Sequence, residues 1–595
     1  MISAGMVEAA DPQRYNVNIK VKDLDNVQQT LKEVATLIKL KELAPVDPFA
    51  LVARAQSDQE RFDKVLRSFG YYQSRIRIQI AGLPLDDSTL FTVLEKTSAE
   101  QAVNVDVSVE PGPLFHLRKI DVQGNLPEAF KSQLGLVEGA PALANDVLAA
   151  REKLLQALQT DGYAQAKVET PIAFLVPDAA QLDIVYHVES GARLDLGAIN
   201  FKGLTRVNES FVRQRLQVKP GDRFDPIQIE KNRLDLASLG IFSSVQAKTE
   251  EMLDANQRLV LDYRVVERPP RALNVGASFY TDLGGSLSVA WQHRNLLGNA
   301  EQLNLTGAIT QLAGNSTIGI GYNLAAAFIK PDFWQREQSL QTNLRVFKQH
   351  LIAYDQIGAM GDIMLQRKLA QHWSASFGLA GERSQITQDE ETHNYTLLSV
   401  PLLVKYDSSN NLMEPTAGIR AALTLTPTKP IAGQSTSIFL QTQLSASTYF
   451  DFTDSGQSVL ALRGLVVDNQ GVGRDGLPPD KRAYAGGSAT VRGYSYQSIG
   501  PRFSDNKPKG GSAMSAATIE FRQRFLENWG MVGFVDAGQV SESGPPFTSP
   551  WRLGAGAGVR YYTSFGPIRV DLGLPVNPQP DSGSFELYVS LGQAF

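Results

Sequence analysis

Leu273-Asn274-Val275-Gly276-Ala277-Ser278-Phe279-Tyr280 alternates apolar side chains with small or polar ones. A period of two places successive side chains on opposite faces of a strand, so this stretch is predicted to be a β-strand with one apolar face. The alternation returns downstream, in residues 287–292, 303–310, 373–379 and 585–595. Two architectures produce such a pattern: a large soluble β-sandwich that buries the apolar face, and an outer-membrane β-barrel that turns it toward lipid.

The length of this alternating region favours the barrel. Residues 270–595 number 326, and a membrane-crossing strand with its share of turns takes about 20 residues. The region is therefore predicted to be an all-β barrel of about 16 antiparallel strands, whereas a soluble sheet of that size normally splits into domains. No run of about 18 apolar residues occurs in the sequence, so no membrane-spanning helix is predicted.

Upstream of Pro269-Pro270 the sequence is repetitive. Val109-Glu110-Pro111-Gly112 matches Val188-Glu189-Ser190-Gly191 at an offset of 79 residues, and the apolar positions that follow keep the same offset. A third Val-Glu pair, Val266-Glu267, ends the last copy. Copies of this size are predicted to be small domains arranged in series.

Each copy is predicted to run strand, helix, helix, strand, strand. Asp47-Pro48 and Asp225-Pro226 each open a helix, since aspartate is a favourable N-cap and proline costs nothing at the first helical position. Asn208 is placed to cap a shorter helix in the last copy, and Gly162 and Gly240 end helices. A generic α+β repeat without a transport role is the alternative for this half of the chain.

The predicted domain division has five parts. A disordered tail covers residues 1–14, three α+β repeats cover 15–113, 114–191 and 192–268, and the barrel covers 269–595. No signal peptide is visible at the N-terminus, because Met1 to Arg14 lacks a basic start followed by an apolar core. The chain is then either cytosolic or shown without its signal, and the barrel pattern favours the second interpretation.

Composition and motifs argue against several functions. A net charge of −5 disfavours nucleic acid as a partner. The chain has no cysteine, its six histidines show no ligand spacing, and no nucleophile-elbow, zinc-protease or Walker A motif occurs. Gly471-Val472-Gly473-Arg474-Asp475-Gly476 has dinucleotide-site spacing, but prolines follow where that site needs a helix. We therefore expect no cofactor, no metal site and no enzymatic activity.

Five short motifs resemble those of one protein family. Val491-Arg492-Gly493-Tyr494 matches the VRG[FY] signature of the outer-membrane assembly and transport superfamily that includes BamA, TamA and the two-partner secretion transporters. Four further segments resemble family motifs in the same order along the chain: residues 295–301 (NLLGNAE), 415–418 (PTAG), 481–487 (KRAYAGG) and 566–571 (GPIRVD). Residues 407–410 depart from the family by carrying fewer acidic side chains, which puts ion pairs at that turn in doubt. The 481–487 segment is typical of the TamA branch.

This resemblance implies a function in transport rather than in covalent chemistry. The repeats resemble polypeptide-transport-associated (POTRA) domains, which would lie in the periplasm of a Gram-negative bacterium beneath the outer-membrane barrel. A TamA-like protein would work with a TamB-like partner anchored in the inner membrane. Its clients would be outer-membrane proteins such as autotransporters, and outer-membrane lipids are possible cargo.

The resemblance also implies that the VRGY segment folds back into the barrel lumen. A guanidinium removed from water needs fixed acceptors. Glu520 and Asp536 both take the inward parity of their predicted strands. We expect Arg492 to pair with these two carboxylates and so to fix the loop; otherwise all three are ordinary polar groups facing water.

The closing seam of the barrel is the second candidate site. It joins the first strand, near residues 273–279, to the last, near 585–595, and an incompletely paired seam can template an incoming strand. The residues assigned to this lateral seam are Leu273, Val275, Gly276, Phe585, Leu587, Gly592 and Phe595. Phe595 also resembles the C-terminal aromatic residue by which such barrels are recognised for assembly. A fully paired barrel with tolerated glycines is the alternative.

Four other functions remain open. A BamA-like insertase and a two-partner secretion transporter belong to the same superfamily, but their relatives usually have five and two POTRA domains. A passive diffusion pore would need neither a string of soluble repeats nor a loop fixed inside the barrel. An outer-membrane enzyme would need a nucleophile and base that the sequence does not arrange.

Overall fold

The computed structural model describes residues 13–22, 24–43, 46–98, 101–280, 283–312, 319–453, 455–563, 566–579 and 582–591. The predicted disordered tail therefore lies almost wholly outside the described residues, and only Gln13 and Arg14 of it are described. The Gln13 side chain is buried and donates to the Gln101 carbonyl oxygen. The chain divides into two compact units, residues 1–200, 217–233 and 247–263 in one and 201–216, 234–246 and 264–595 in the other.

The first repeat contains more elements than the predicted order of strand, helix, helix, strand, strand. Its strands are β1 (Tyr15–Val21), β2 (Arg75–Ile80), β3 (Leu83–Pro84) and β4 (Val103–Glu110), and its helices are α1 (Asp25–Val34), α2 (Thr36–Lys39), α3 (Pro48–Ser68) and α4 (Leu90–Lys96). The sheet order is β1-β4-β2-β3, with β1 parallel to β4. The sequence pattern missed α4, which turns Leu90 and Leu94 into the core.

The second repeat contains β5 (His116–Asn125), α5 (Ala144–Thr160), β6 (Lys167–Val168), β7 (Ile172–Val176) and β8 (Gln181–Glu189), with short 3-10 helices at Glu128–Leu134 and Pro177–Ala179. Strand β8 lies between β5, to which it is parallel, and both β6 and β7. A 3-10 helix therefore stands where the first α-helix was predicted.

The third repeat contains β9 (Leu196–Lys202), α6 (Glu209–Arg215), α7 (Pro226–Ser238), β10 (Phe242–Leu253) and β11 (Leu259–Glu267), with sheet order β10-β11-β9. Asp225 Oδ1 accepts from the Ile227 amide at 2.8 Å, as an N-cap does. Asn208 occupies the N-cap position of α6, but its side chain makes no capping hydrogen bond and donates to Asn299 Oδ1 instead.

The C-terminal region is a closed antiparallel barrel. Its strands are β12 (Arg271–Tyr280), β13 (Gly284–His293), β14 (Gln302–Leu312), β15 (Gly321–Lys330), β16 (Gln338–His350), β17 (Asp355–Lys368), β18 (Trp373–Gln388), β19 (Glu391–Ser399), β20 (Leu402–Asp407), β21 (Gly418–Ala432), β22 (Phe439–Asp451), β23 (Ser458–Gln470), β24 (Ala513–Leu526), β25 (Trp529–Ser541), β26 (Arg552–Thr563), β27 (Gly566–Pro575) and β28 (Glu586–Leu591).

Segments β19 and β20 occupy one strand position, because both pair with β18 on one side and with β21 on the other. Pro401 interrupts them, since proline cannot donate to a ladder. Counted this way, the described residues form a barrel of 16 strands, which confirms the predicted fold class. Among the helices in the described ranges, none combines the length and the apolar character needed to cross a bilayer.

Candidate functional site

Alternating side chains on the barrel strands place three carboxylates inside it. Glu520 on β24, Asp536 on β25 and Asp571 on β27 are each no more than 1% exposed. Ile519 and Phe521, the neighbours of Glu520, point outward and are 56% and 44% exposed. The strand period thus separates an apolar outer face from an inner face that carries charge.

The long connection from β23 to β24 brings an arginine to these carboxylates. Short 3-10 helices at Arg474–Gly476 and Pro479–Lys481 begin this connection, and Val491, Arg492 and Tyr494 are all buried. Residues 491–494 therefore lie inside the barrel, packed against its wall.

Arg492 contacts all three carboxylates. Its Nε donates to Asp536 Oδ2 at 2.8 Å and its Nη2 to Asp536 Oδ1 at 3.1 Å, a bidentate pair. Its Nη1 donates to Glu520 Oε2 at 2.7 Å and to Asp571 Oδ2 at 3.3 Å. The guanidinium also stacks on Phe534, 3.4 Å from the ring centroid. The two carboxylates expected from the sequence are both in contact with Arg492.

Sequence reasoning missed the rest of this cluster. Arg522 Nε donates to Glu520 Oε1 at 2.9 Å, and Arg560 Nη1 donates to Asp571 Oδ1. Arg492 is therefore one of three guanidinium groups that donate to these three buried carboxylates. Asp571 belongs to the GPIRVD segment and has inward parity, a signal that could have placed it in the lumen.

The backbone of the VRGY segment lies directly on the barrel wall. Gly493 has φ +91°, a left-handed conformation that favours glycine. A methyl group at Gly554 of β26 would overlap the Arg492 carbonyl oxygen. Gly554 pairs with Asp536 in the β25–β26 ladder. Thus β25 binds the Arg492 side chain through Asp536, and Gly554 on the adjacent strand β26 leaves room for the Arg492 backbone.

The same loop also contacts a distant part of the wall. Lys481 Nζ donates to Glu382 Oε2 on β18 at 2.6 Å and pairs with its neighbour Asp480 at 2.9 Å. Gln356 on β17 donates to Asp480 Oδ2 at 3.2 Å. The loop is therefore attached at β17–β18 as well as at β24–β27.

The described part of the seam between β12 and β28 is short. In the described residues its ladder has two pairs, Phe279 with Val589 and Tyr280 with Tyr588, whereas β12 pairs with β13 over all of Arg271–Tyr280. Continuing the register would set Ser278 opposite Ser590, but the ladder does not extend to that pair. Within the described residues, the pairing of β12 with β28 therefore lies at the Phe279–Tyr280 end of β12.

The structure places the predicted seam residues as follows. Leu273, Val275 and Gly276 lie on β12 and pair with β13, while Leu587 lies on β28 and pairs with Leu572 of β27. Phe585 precedes β28 and is 54% exposed. Gly592 and Phe595 lie outside the described residues. The described seam pairs are formed by other residues of the two predicted strands, because alternation indicates facing but not register.

Several known proteins are similar to this chain. The outer membrane protein assembly factor BamA of Neisseria meningitidis serogroup B is 21% identical over 607 residues, covering 90% of this chain and 72% of that protein. BamA of Nitratidesulfovibrio vulgaris is 22% identical over 527 residues, covering 83% and 64%. BamA of Neorickettsia risticii is 25% identical over 294 residues, covering 47% and 39%. The chain thus spans less than two thirds of the length of the last two relatives.

A solved structure has a similar fold. BamA from Haemophilus ducreyi lacking POTRA domains 1–3 superposes with a TM-score of 0.66 at 18% identity, over 80% of this chain and 99% of that one. A family model described as the Omp85 superfamily domain matches residues 295–595, and one described as the surface antigen variable number repeat, or POTRA, matches residues 115–191 and 195–268. The chain therefore belongs to the Omp85 superfamily of outer-membrane β-barrel proteins with periplasmic POTRA domains.

Proposed function

We propose that this protein helps to insert or secrete outer-membrane β-barrel proteins such as autotransporters, by pairing a client strand at the β12–β28 seam. The observation that carries the proposal is the two-pair ladder of the described seam. Backbone N–H and C=O groups outside a ladder can bond to an added strand, which is how sheets recruit extended peptides. The work is then binding and insertion rather than covalent chemistry.

The POTRA repeats supply candidate docking edges for clients or partners. Strand β7 of the second repeat pairs with β8, and its Ile172, Phe174 and Leu175 are 46%, 54% and 45% exposed. An apolar, exposed strand is suited to pair with another extended chain. Within the superfamily we assign a TamA-like role with a TamB-like inner-membrane partner, supported by the KRAYAGG segment and the three repeats, with outer-membrane lipids as possible further cargo.

Site-specific photo-crosslinking in cells during assembly of an autotransporter tests the seam. A crosslinker at Val275 on β12, which is 74% exposed, is expected to capture the client. A crosslinker at Leu444 on β22, which also points outward and is 47% exposed, is the matched control. Equal capture at both positions would contradict strand pairing at the seam.

The alternatives predict different results. Affinity capture from native membranes should recover a long, β-rich, inner-membrane-anchored protein if the TamA-like assignment is right, and its absence would favour the BamA-like or two-partner alternatives. A passive pore would show large, steady currents in planar bilayers. We expect small currents, because residues 491–494 and their loop occupy the barrel interior.

A further inference from the structure

We infer that Tyr588 couples the VRGY loop to the seam, so that the fixed loop holds the last barrel strand in its closed position. This inference rests on the proposed use of the seam. Tyr588 is a positioning residue: its backbone belongs to the seam ladder and its hydroxyl belongs to the loop. No other residue in the described ladder has both attachments.

The hydroxyl of Tyr588 forms two hydrogen bonds with the loop backbone. The Gly493 amide donates to Tyr588 Oη at 3.1 Å, and Tyr588 Oη donates to the Tyr494 carbonyl oxygen at 3.4 Å. A phenol can accept one hydrogen bond and donate another, so both contacts form together. The side chain is fully buried, so water cannot readily replace either partner.

The same residue forms one of the two described pairs of the seam. Tyr588 pairs with Tyr280 of β12 in the short ladder, and their ring centroids are 6.3 Å apart. One of the two described pairs in the ladder therefore includes a residue whose side chain is bound by the loop. Moving Tyr588 would disrupt that pair.

A second contact connects the loop to the same strand. Ser495 Oγ donates to Glu586 Oε1 at 2.7 Å, and Glu586 and Tyr588 are both buried on the inner side of β28. Arg492 immediately precedes these contacts along the chain and is fixed to β24, β25 and β27. The loop thus bridges β28 to strands whose pairing is extensive. Among the described contacts, its release would leave β28 held by the β27 ladder and the two seam pairs.

Hydrogen–deuterium exchange on the full chain in lipid nanodiscs tests this coupling without a client. Tyr588→Phe removes the hydroxyl and keeps the ring. We expect the amides of residues 586–591 to exchange roughly five- to tenfold faster, because both hydrogen bonds to the loop are lost and the 3.4 Å one contributes little. Tyr395→Phe is the matched control, since Tyr395 is 2% exposed and its hydroxyl donates to Gln434 away from the seam. Unchanged exchange in Tyr588→Phe would overturn the inference.

A double substitution separates coupling from a local packing effect. In an Arg492→Lys background the loop has lost its bidentate anchor, so adding Tyr588→Phe should accelerate β28 exchange little further. Additive effects would mean that Tyr588 stabilises β28 independently of the loop and would overturn the inference. If Tyr588→Phe does not assemble, Ser495→Ala gives the same readout through the second contact.

The outcome is distinguishable from a failure of the proposed function. Faster β28 exchange in Tyr588→Phe together with normal autotransporter assembly would support the coupling and count against client pairing at the seam. Altered assembly without a change in β28 exchange would overturn the coupling and leave the seam proposal standing.

Discussion

At the scale of single residues, the buried charge cluster depends on the pairing of its carboxylates with Arg492. Arg492 neutralises carboxylates that are almost fully removed from water, and breaking such a cluster by removing one partner leaves an uncompensated buried charge. We expect Arg492→Met to lower the free energy of unfolding of the barrel by about 3–5 kcal/mol. Urea titration in detergent micelles, followed by tryptophan fluorescence, measures the change.

Two further variants make that prediction specific. Arg492→Met combined with Asp536→Asn removes the carboxylate that Arg492→Met leaves without its bidentate partner, and should recover part of the loss. Arg345→Met is the control, because Arg345 is an exposed arginine stacked on Phe347 and should contribute little. An equal loss of unfolding free energy in Arg345→Met and Arg492→Met would show that the buried cluster stabilises the barrel no more than an exposed arginine does.

The close approach of the VRGY segment to the barrel wall depends on the absence of a side chain at Gly554. In Gly554→Ala the new methyl group would overlap the Arg492 carbonyl oxygen, so the loop must move at a cost of about 1–3 kcal/mol. Exchange of the amides of residues 491–495 should become faster. Gly533→Ala on β25 is the control, since nothing lies within 4 Å of its new methyl group, and exchange in the loop should stay unchanged.

At the scale of elements, the last POTRA strand fixes a turn through one carboxylate. Burial of Glu267 opposes its ionisation, but the amides of Thr205, Arg206 and Val207 donate to it and lower its pKa to about 2. A glutamate in the unfolded chain has a pKa of about 4.3. The stabilisation is therefore complete above about pH 4.3 and is lost as the pH falls toward 2.

Two measurements check this pH dependence. Amides 205–207 should lose protection from hydrogen exchange between about pH 4 and 2, after correction for the intrinsic pH dependence of exchange. Glu267→Gln should remove that dependence and lower local stability by about 1–2 kcal/mol at neutral pH. Persistent pH-dependent protection in Glu267→Gln would assign it to another group.

The elements also show what the sequence could and could not predict. Asp225 caps α7 as expected, because an N-cap interaction is local. Asn208 occupies a cap position but its amide donates to Asn299, a partner 91 residues away that no local pattern indicates. Helix α4 was missed since its seven residues contribute only two buried positions to the pattern.

In the candidate site, too, local patterns predicted some residues, and contacts between distant strands were missed. Parity alone indicated that Glu520 and Asp536 face inward, and the family motif indicated which arginine meets them. The contact of Asp571 with Arg492 depends on the strand register across β24 to β27, which brings together residues from non-adjacent strands. The seam pairs were missed for the same reason, since a period of two is unchanged by a shift of two residues.

At the scale of the whole molecule, the sidedness of the barrel can be tested with adjacent residues. Leu444 on β22 faces outward and Gln443 faces inward on the same strand, as does Gln441, which donates to the Lys481 carbonyl of the loop. If acyl chains surround the barrel, Leu444→Arg costs about 2–4 kcal/mol near the bilayer centre, whereas Gln443→Arg enters a polar lumen at little cost. Folding titrations into phospholipid vesicles measure both. A barrel with Leu444 at a water-exposed surface would tolerate Leu444→Arg as well as Gln443→Arg, so equal stability of the two variants would contradict a lipid-facing wall.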